Sequence, residues 1–352
     1  MRVTAIVVSW NAAGQLRACL DALDAQDHPD LEVLVVDNAS VDGTAEVLSA
    51  ALAEPRRHPL RVRWNTANRG FAGAVNDALT ETDAEAVLIA NVDVVPAPDL
   101  VRRLAAVLDV DPGCGSVQPR LTRMAPDAHG RPVLDTTGHL ATRARLFRNR
   151  GEGAVDTGQH GRREEVFGVS GALALHRRAM LDDVAWRHGD GRREWLSEDL
   201  FAYFDDVELD WRARLLGWRA VYEPSAAGVH ERGGAGPRRT ATVEALNFTN
   251  RLLVVATCDD RRALLRAAPL VVVTTLLKLA ELSLTSPRAL LPALRRLSLL
   301  PAARRRRREL MTRTRLDPAE VVARWFVPFD ARGWVTTWWK RVRGRAPGVG
   351  PG

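Results

Sequence analysis

The chain has 352 residues, 46% of them hydrophobic, enough to bury one large core with an appendage. Its three cysteines, Cys19, Cys114 and Cys258, are isolated and odd in number, so no disulfide framework or cysteine metal cluster can be read from them, which fits a reducing cytoplasm. The net charge of +7 is unevenly spread: residues 1–250 carry 29 Lys and Arg against 36 Asp and Glu, whereas residues 251–352 carry 21 against 7.

Residues 1–8 lack a basic start followed by a long apolar core, so no secretory signal is expected. Thr4 to Ser9 is an apolar run that reads as a buried strand ending in the polar Ser9 and Asn11. Gln15 to Leu23 follows with helical apolar spacing at Leu16, Cys19, Leu20 and Leu23. A second buried strand, Leu31 to Val36, ends in Asp37-Asn38-Ala39-Ser40, and Asp42-Gly43-Thr44 opens the next helix. Asn68-Arg69-Gly70-Phe71-Ala72-Gly73 carries no complete dinucleotide or phosphate-loop fingerprint, but its glycines permit close backbone approach, and Asn76 lies along the helix after it. Residues 86–95, AVLIANVDVV, form a third apolar strand that stops abruptly at Asn91-Val92-Asp93.

Alternation of strand and helix predicts a parallel sheet with right-handed crossovers, and ligands of such sheets bind beyond the carboxyl ends of the strands. Three strands deliver polar groups to that edge: Ser9 and Asn11, Asp37 and Asn38, Asn91 and Asp93. The first two pairs suit hydrogen bonds to a nucleobase and to ribose hydroxyls. Asp93, with Asn91 as a weaker oxygen or hydrogen-bonding group, suits a hard divalent cation shared with substrate phosphates. A cap or turn role for any one of these is the plainer alternative, but three polar strand ends in about ninety residues favour a nucleotide site.

Further on, Gly168 to Gly171 reads as a loop before a buried strand, and Trp186 and Trp195 flank the polar loop GDGRRE. The stretch 197–211, SEDLFAYFDDVELDW, places Asp205, Asp206, Glu208 and Asp210 within an aromatic frame of Phe201, Tyr203, Phe204 and Trp211. A helix N-terminus favours carboxylates, which accounts for some of them. Burial beside a like charge is expected to raise one of the adjacent pair toward the range of a general base.

A first domain is expected over residues 1–235, ending near the breaker-rich GGAGP at 233–237, followed by a helical basic region over 236–345 and a disordered tail at 346–352. Prolines 269, 287, 292 and 301 are expected to cut the helical region into short helices. The apolar stretch 267–277 is too short to span a bilayer, and Lys278 and Glu281 interrupt its continuation, so residues 264–284 are expected to lie in the interface, with a membrane span as the alternative. The basic run Arg304–Arg308, and Trp325, Trp334, Trp338 and Trp339 beside Lys340, Arg341, Arg343 and Arg345, suit an anionic membrane surface; a solvated basic helix with tryptophans in an ordinary core is the alternative.

The segments IVVSWNAAGQLRACLDAL, VLVVDNASVDGT, NRGFAGAVNDAL, LIANVDVV and FAYFDDVELDWRARLLGW, in that order, resemble the second family of glycosyltransferases, with its GT-A fold, over residues 2–235. The most similar subset is that of bacterial rhamnosyltransferases of cell-surface polysaccharides. The family commonly has Asp-x-Asp at the metal site; this chain has Asn91-Val92-Asp93, a form similar to that subset's. The resemblance implies Asp206 as the base that deprotonates the acceptor hydroxyl, with Asp205 beside it, and a metal, Mg2+ or Mn2+, at Asp93 joined by His230. It places the loop of Asn68, Gly70, Phe71 and Asn76 beside the donor, and Ser170 and Gly171, with Trp211, beside the acceptor.

The function expected is therefore inverting transfer of a sugar, L-rhamnose from its dTDP donor, onto a lipid-linked or polysaccharide acceptor of the cell envelope. The protein is expected to be peripheral, at the cytoplasmic face of the plasma membrane, with oligomerisation left open. A UDP-hexose or UDP-galactofuranose donor is the alternative within the fold. Nucleic-acid binding through the basic C-terminal part is the alternative from another class; no docking motif accompanies those charges, and no nucleic-acid partner is expected.

Overall fold

A computed structural model describes residues 1–232 and 240–343. The expected domain boundary at 235, Arg345 and the expected tail at 346–352 lie outside the described residues. In chain order the elements are β1 (Val3–Ser9), α1 (Ala13–Asp24), β2 (Leu31–Asp37), α2 (Thr44–Ala53), β3 (Leu60–Trp64), α3 (Gly70–Leu79), β4 (Ala86–Asn91), β5 (Val94–Pro96) and α4 (Leu100–Val110). Then come β6 (Cys114–Arg123), β7 (Leu134–Thr136), β8 (His139–Thr142), β9 (Phe147–Asn149), β10 (Glu164–Val166), β11 (Leu173–Arg177) and α5 (Arg178–Val184). A short hairpin, β12 (Trp186–Arg187) and β13 (Arg193–Glu194), precedes α6 (Asp205–Leu215) and β14 (Arg219–His230). The remainder holds α7 (Ala241–Cys258), α8 (Arg261–Thr285), α9 (Leu290–Arg296), α10 (Leu300–Arg313), α11 (Pro318–Trp325), β15 (Phe326–Val327) and α12 (Ala331–Val342).

The chain divides into two units, the first comprising, among the described residues, 1–139, 149–213 and 218–232. Its sheet has the order β10-β14-β6-β11-β4-β1-β2-β3, with β5 added to β14 and β7 to β6. Pairings β1–β2, β1–β4, β2–β3 and β6–β14 are parallel, while β11 runs against both β4 and β6. Central strands are apolar on both faces because both are covered: Val3, Ala5, Ile6 and Val7 of β1 are all fully buried. The amphipathic helices α1 and α4 bury Leu16, Cys19, Leu20 and Leu23, and Leu100, Val101, Leu104 and Leu108. After β1 the chain builds outward to β2 and β3, then returns to β4 on the other side of β1. That reversal opens a crevice at the carboxyl ends of β1 and β4, where open α/β sheets take their ligands.

The second unit comprises, among the described residues, 140–148, 214–217 and 240–343. It contains the C-terminal helices and the three-stranded sheet β15-β8-β9. Arg145 is 2% exposed and donates from Nε to Asp259 Oδ2 at 2.7 Å, a buried pair that ties 140–148 to the end of α7. Asp260 caps α8 by accepting from the Arg262 and Ala263 amides. Pro269 does not end a helix as expected: α8 runs unbroken for 25 residues through it. Only one backbone donor is lost at a proline, and the neighbouring turns hold the helix.

Candidate active site

Register places the polar strand ends together. Ser9 pairs with Asp37, and Asn91 sits beside Val8. Ser9 Oγ and Asp37 Oδ1 are buried and have no hydrogen-bond partner among the described residues. Buried polar atoms are nearly always satisfied, so these two, side by side at the ligand edge, have hydrogen-bonding capacity that the described residues do not use. Asn11, with φ 51°, accepts from the Val41 amide through Oδ1 at 2.8 Å and so latches the loop after β1 to the loop after β2.

Two residues expected at the donor act differently. Asn38 is 2% exposed; its amide donates to Asn68 Oδ1 and the Gly70 carbonyl and accepts from the Arg69 amide. Asn76 is 3% exposed; it accepts from the Trp195 and Leu196 amides and donates to the Leu196 carbonyl and to Glu198. Both side-chain amides are spent on holding loops. Asn68, half-buried like Phe71 and Asn91, accepts from Asn38 and the Gly70 amide.

The loop 68–72 is locked to the segment before α6. Gly70 has φ +71°, and a Cβ there would lie 2.3 Å from the Phe201 carbonyl oxygen, which accepts from the Ala72 amide at 3.1 Å. Phe201 itself has φ 64° and ψ −62°, the centre of a γ-turn closed by Ala202 N–H to the Leu200 carbonyl at 2.7 Å. Tyr203 and Phe204 also have positive φ, 68° and 65°. Three bulky residues in that region within four positions constitute strain of the kind held at functional sites. Trp186, which opens β12, and Trp195, just after β13, are buried, and Trp195 Nε1 donates to Asp182.

Asp206 emerges at the first turn of α6 with its side chain 25% exposed. It accepts from the Gly171 amide at 2.9 Å and from the Val207 amide at 2.8 Å. Behind it stands His139, 5% exposed, with Nε2 at 3.3 Å from Asp206 Oδ2 and Nδ1 at 2.7 Å from Asp210 Oδ2. Asp210 also accepts from the Val169 amide, and Gly168 is obligatory there, because a Cβ would fall 1.8 Å from Asp210 Oδ2. Burial alone would depress the His139 imidazole, but Asp206 and Asp210 outweigh it and push it up to about 10.

One member of the acidic pair is raised, as burial beside a like charge leads one to expect, but it is not the residue that the resemblance implies as the base. Burial, then the charge of Asp206, pushes Asp205 up to about 8, so Asp205 is the neutral member. Burial also raises Asp206, but the charge and hydrogen bond of His139, with the Gly171 and Val207 amides, outweigh it and hold this carboxylate below its ordinary range. Asp206 is therefore a ready carboxylate rather than one raised toward neutrality. Ser170 and Trp211, expected at the acceptor, are 5% and 1% exposed, and the Ser170 hydroxyl accepts from the Ala172 amide. Of the acceptor-side residues, Gly171 alone adjoins the exposed carboxylate.

Asp93 lies in the turn between β4 and β5, and β5 pairs antiparallel with the end of β14, so that His230 faces Val94. His230 Nε2 is 3.2 Å from Asp93 Oδ1, and Nδ1 is 2.7 Å from Asp135 Oδ2. Burial depresses the imidazole, but Asp135 and Asp93 push it up to about 9. An imidazole flanked by an orienting carboxylate on one nitrogen and a second carboxylate on the other is a donor set that fits a divalent cation. Among the described residues no group of three or more such side chains converges, so these residues would supply only part of a cation's ligands. His139, Asp135 and Asp210 were not singled out from the sequence as site residues. The first two sit in VLDTTGHLAT, which has no strong periodicity, and only the tertiary fold brings them to the strand ends.

A family model described as glycosyl transferase family 2 matches residues 4–184, and this chain belongs to that family. It is a glycosyltransferase. It is 26% identical over 283 residues to the N-acetylglucosaminyl-diphospho-decaprenol L-rhamnosyltransferase of Mycobacterium tuberculosis, an alignment covering 75% of this chain and 86% of the relative. The poly-beta-1,6-N-acetyl-D-glucosamine synthase of Staphylococcus epidermidis is 21% identical over 227 residues, which span 64% of this chain and 48% of that one. A mannosyltransferase of Pyrobaculum calidifontis, solved with GDP-Man and Mn2+, superposes with a TM-score of 0.52 at 22% identity over 92% of this chain and 87% of its own. GalNAc-T7, solved with UDP, GalNAc and Mn2+, superposes with a TM-score of 0.54 at 11% identity over 73% of this chain and 48% of its own. With the strand order, these likenesses make the fold of the first unit GT-A.

Proposed function

We propose that this chain is an inverting, metal-dependent glycosyltransferase that moves L-rhamnose from dTDP-L-rhamnose onto a lipid-linked acceptor of cell-envelope glycan synthesis. It works as a peripheral protein at the cytoplasmic face of the plasma membrane. The observation that carries the reading is Asp206, an ionised, part-exposed carboxylate held by the Gly171 amide and His139, in the same unit as the orphaned Ser9 and Asp37 oxygens. Likeness to a rhamnosyltransferase that spans three quarters of the chain supports the choice of sugar and of a lipid-linked acceptor.

Ser9 Oγ and Asp37 Oδ1 take the donor's nucleoside, and the 68–72 loop, fixed by Asn38 and Phe201, shapes the wall beside it. Asp93 and His230 are the residues that would hold a divalent cation, oriented by Asp135; bound there, it supplies charge to the departing diphosphate. Asp206 receives the proton of the acceptor hydroxyl as that oxygen attacks the anomeric carbon. One base and one displacement invert that carbon. His139 keeps Asp206 ionised and aimed, and Asp210 keeps His139 charged. Asp205, neutral at pH 7, adds no competing charge beside the base.

The test is transfer from a panel of dTDP-L-rhamnose, UDP-hexoses and UDP-galactofuranose to a GlcNAc-diphospho-polyprenol acceptor, with the product anomer read by NMR. Turnover only with dTDP-L-rhamnose, with inversion, is expected. Preferred use of a UDP-sugar would overturn the donor, and retention would overturn the role of Asp206.

A further inference from the structure

We infer that the outer face of α8, continued by α9, docks in the plane of an anionic bilayer, an inference that rests on and deepens the membrane-surface part of the proposed function. Leu265 (66% exposed), Val272 (54%), Val273 (54%), Leu276 (59%) and Leu284 (66%) are solvent-facing. At about 3.6 residues per turn these positions, with exposed Pro269, fall within an arc of about 120° and so form one stripe along the helix. Soluble monomers rarely leave so long an apolar strip in water.

The charges that break this run in the sequence do not break it in space. Lys278 and Glu281 lie on the other side of α8, with side chains only 19% and 16% exposed and 3.8 Å apart. Glu281 also lies 3.9 Å from Arg341 of α12, and Trp338 Nε1 donates to the Leu277 carbonyl. No exposed charged side chain remains between Arg266 and Arg288. Exposed arginines bracket the stripe, Arg261, Arg262 and Arg266 at one end and Arg288 at the other, and α9 adds Leu291 (56%) and Leu294 (54%) beside exposed Arg295. An apolar centre with cationic ends complements hydrocarbon below anionic headgroups, and a second protein copy would bring the same cationic ends against one another.

Length does not separate lying from crossing, since 25 residues rise about 38 Å, more than a hydrocarbon core of about 30 Å. The inner face does. It carries the Lys278–Glu281–Arg341 charges and is covered by α12, so only the outer face is available to lipid, which fixes the helix parallel to the surface.

The full chain would be tested by flotation with phosphatidylcholine vesicles, with and without phosphatidylglycerol. Leu276→Glu, at an exposed position that leaves the fold intact by circular dichroism, is expected to weaken binding to the anionic vesicles by about tenfold or more. An environment-sensitive label at Leu265→Cys, Leu276→Cys or Leu284→Cys, the native cysteines being buried, is expected to report one common depth by lipid-borne quenchers. A depth graded from one end to the other means a spanning helix and overturns the inference. Unchanged flotation of Leu276→Glu overturns it as well, and a dimer lost in that variant without vesicles would assign the face to a second copy instead. Transfer to a short-chain soluble acceptor separates the outcomes: if it persists in the wild type while flotation fails, the docking face falls and the enzymatic reading stands.

Discussion

Replacing His139 by Gln should move the acid limb of the transfer reaction to higher pH while leaving donor affinity unchanged. Nε2 of His139 is 3.3 Å from Asp206 Oδ2. At an effective dielectric constant of about 20, unit charges at that distance attract by about 5 kcal/mol. The Asp206 side chain is 25% exposed and keeps its two amide donors, so solvent and those bonds reduce the effect to about one to three pH units, or about 1.4 to 4 kcal/mol. The sign follows from the base being needed ionised: His139 holds Asp206 below its ordinary range, and without the imidazolium the carboxylate takes up its proton at higher pH. Well above both limbs Asp206 is ionised in either protein, and the rates there should differ by less than about tenfold. The assay is kcat against pH with saturating donor, alongside a donor titration. Coincident acid limbs would refute the argument, and a uniform loss at every pH with a lower Tm would make His139 a packing residue only.

Asp206→Asn should lower transfer by about two to four orders of magnitude and leave nucleotide-sugar affinity within a few-fold, whereas Asp205→Asn, which mimics a carboxyl already neutral at pH 7, should act far more weakly; single-turnover transfer decides, and a dead Asp205→Asn with a normal Asp206→Asn would reverse the roles. Asp93→Ala and excess chelator should each abolish turnover, costing several kcal/mol of transition-state stabilisation; full activity in chelator would exclude the metal reading. The folded His139 imidazole is raised from 6.5 to about 10, so the stability it contributes is complete below about pH 6.5 and lost as pH rises through about 10; the Tm gap between wild type and His139→Gln should narrow over that window. Asp259→Asn, which leaves Arg145 buried without its charge partner, should destabilise the second unit by about 3 to 5 kcal/mol by denaturant unfolding.

Much of this was legible without coordinates, for a local reason. Strands such as Val3–Ser9 and Ala86–Asn91 are buried on both faces, so they read as unbroken apolar runs, and their polar ends mark the ligand edge whatever lies beyond. Asp93 and the acidic start of α6 stand out in the same way, because carboxylates beside buried segments are conspicuous in one dimension.

What a side chain faces is not local. Asn38 and Asn76 have the composition of donor ligands, yet the fold surrounds each with backbone groups that take its amide. Which aspartate of the pair is neutral depends on His139, 66 and 67 positions away in the chain and beside Asp206 only after folding. Lys278 and Glu281 interrupt an apolar run as letters, whereas on a helix they turn to the covered face and leave the other face uninterrupted. The sequence by itself determined the alternation of strand and helix, the ligand edge and the family, because these follow from hydrophobic periodicity and short motifs. Only the tertiary structure decided which polar groups were already spent, which carboxylate was ionised and which face of α8 was bare, because each depends on neighbours that chain distance does not reveal.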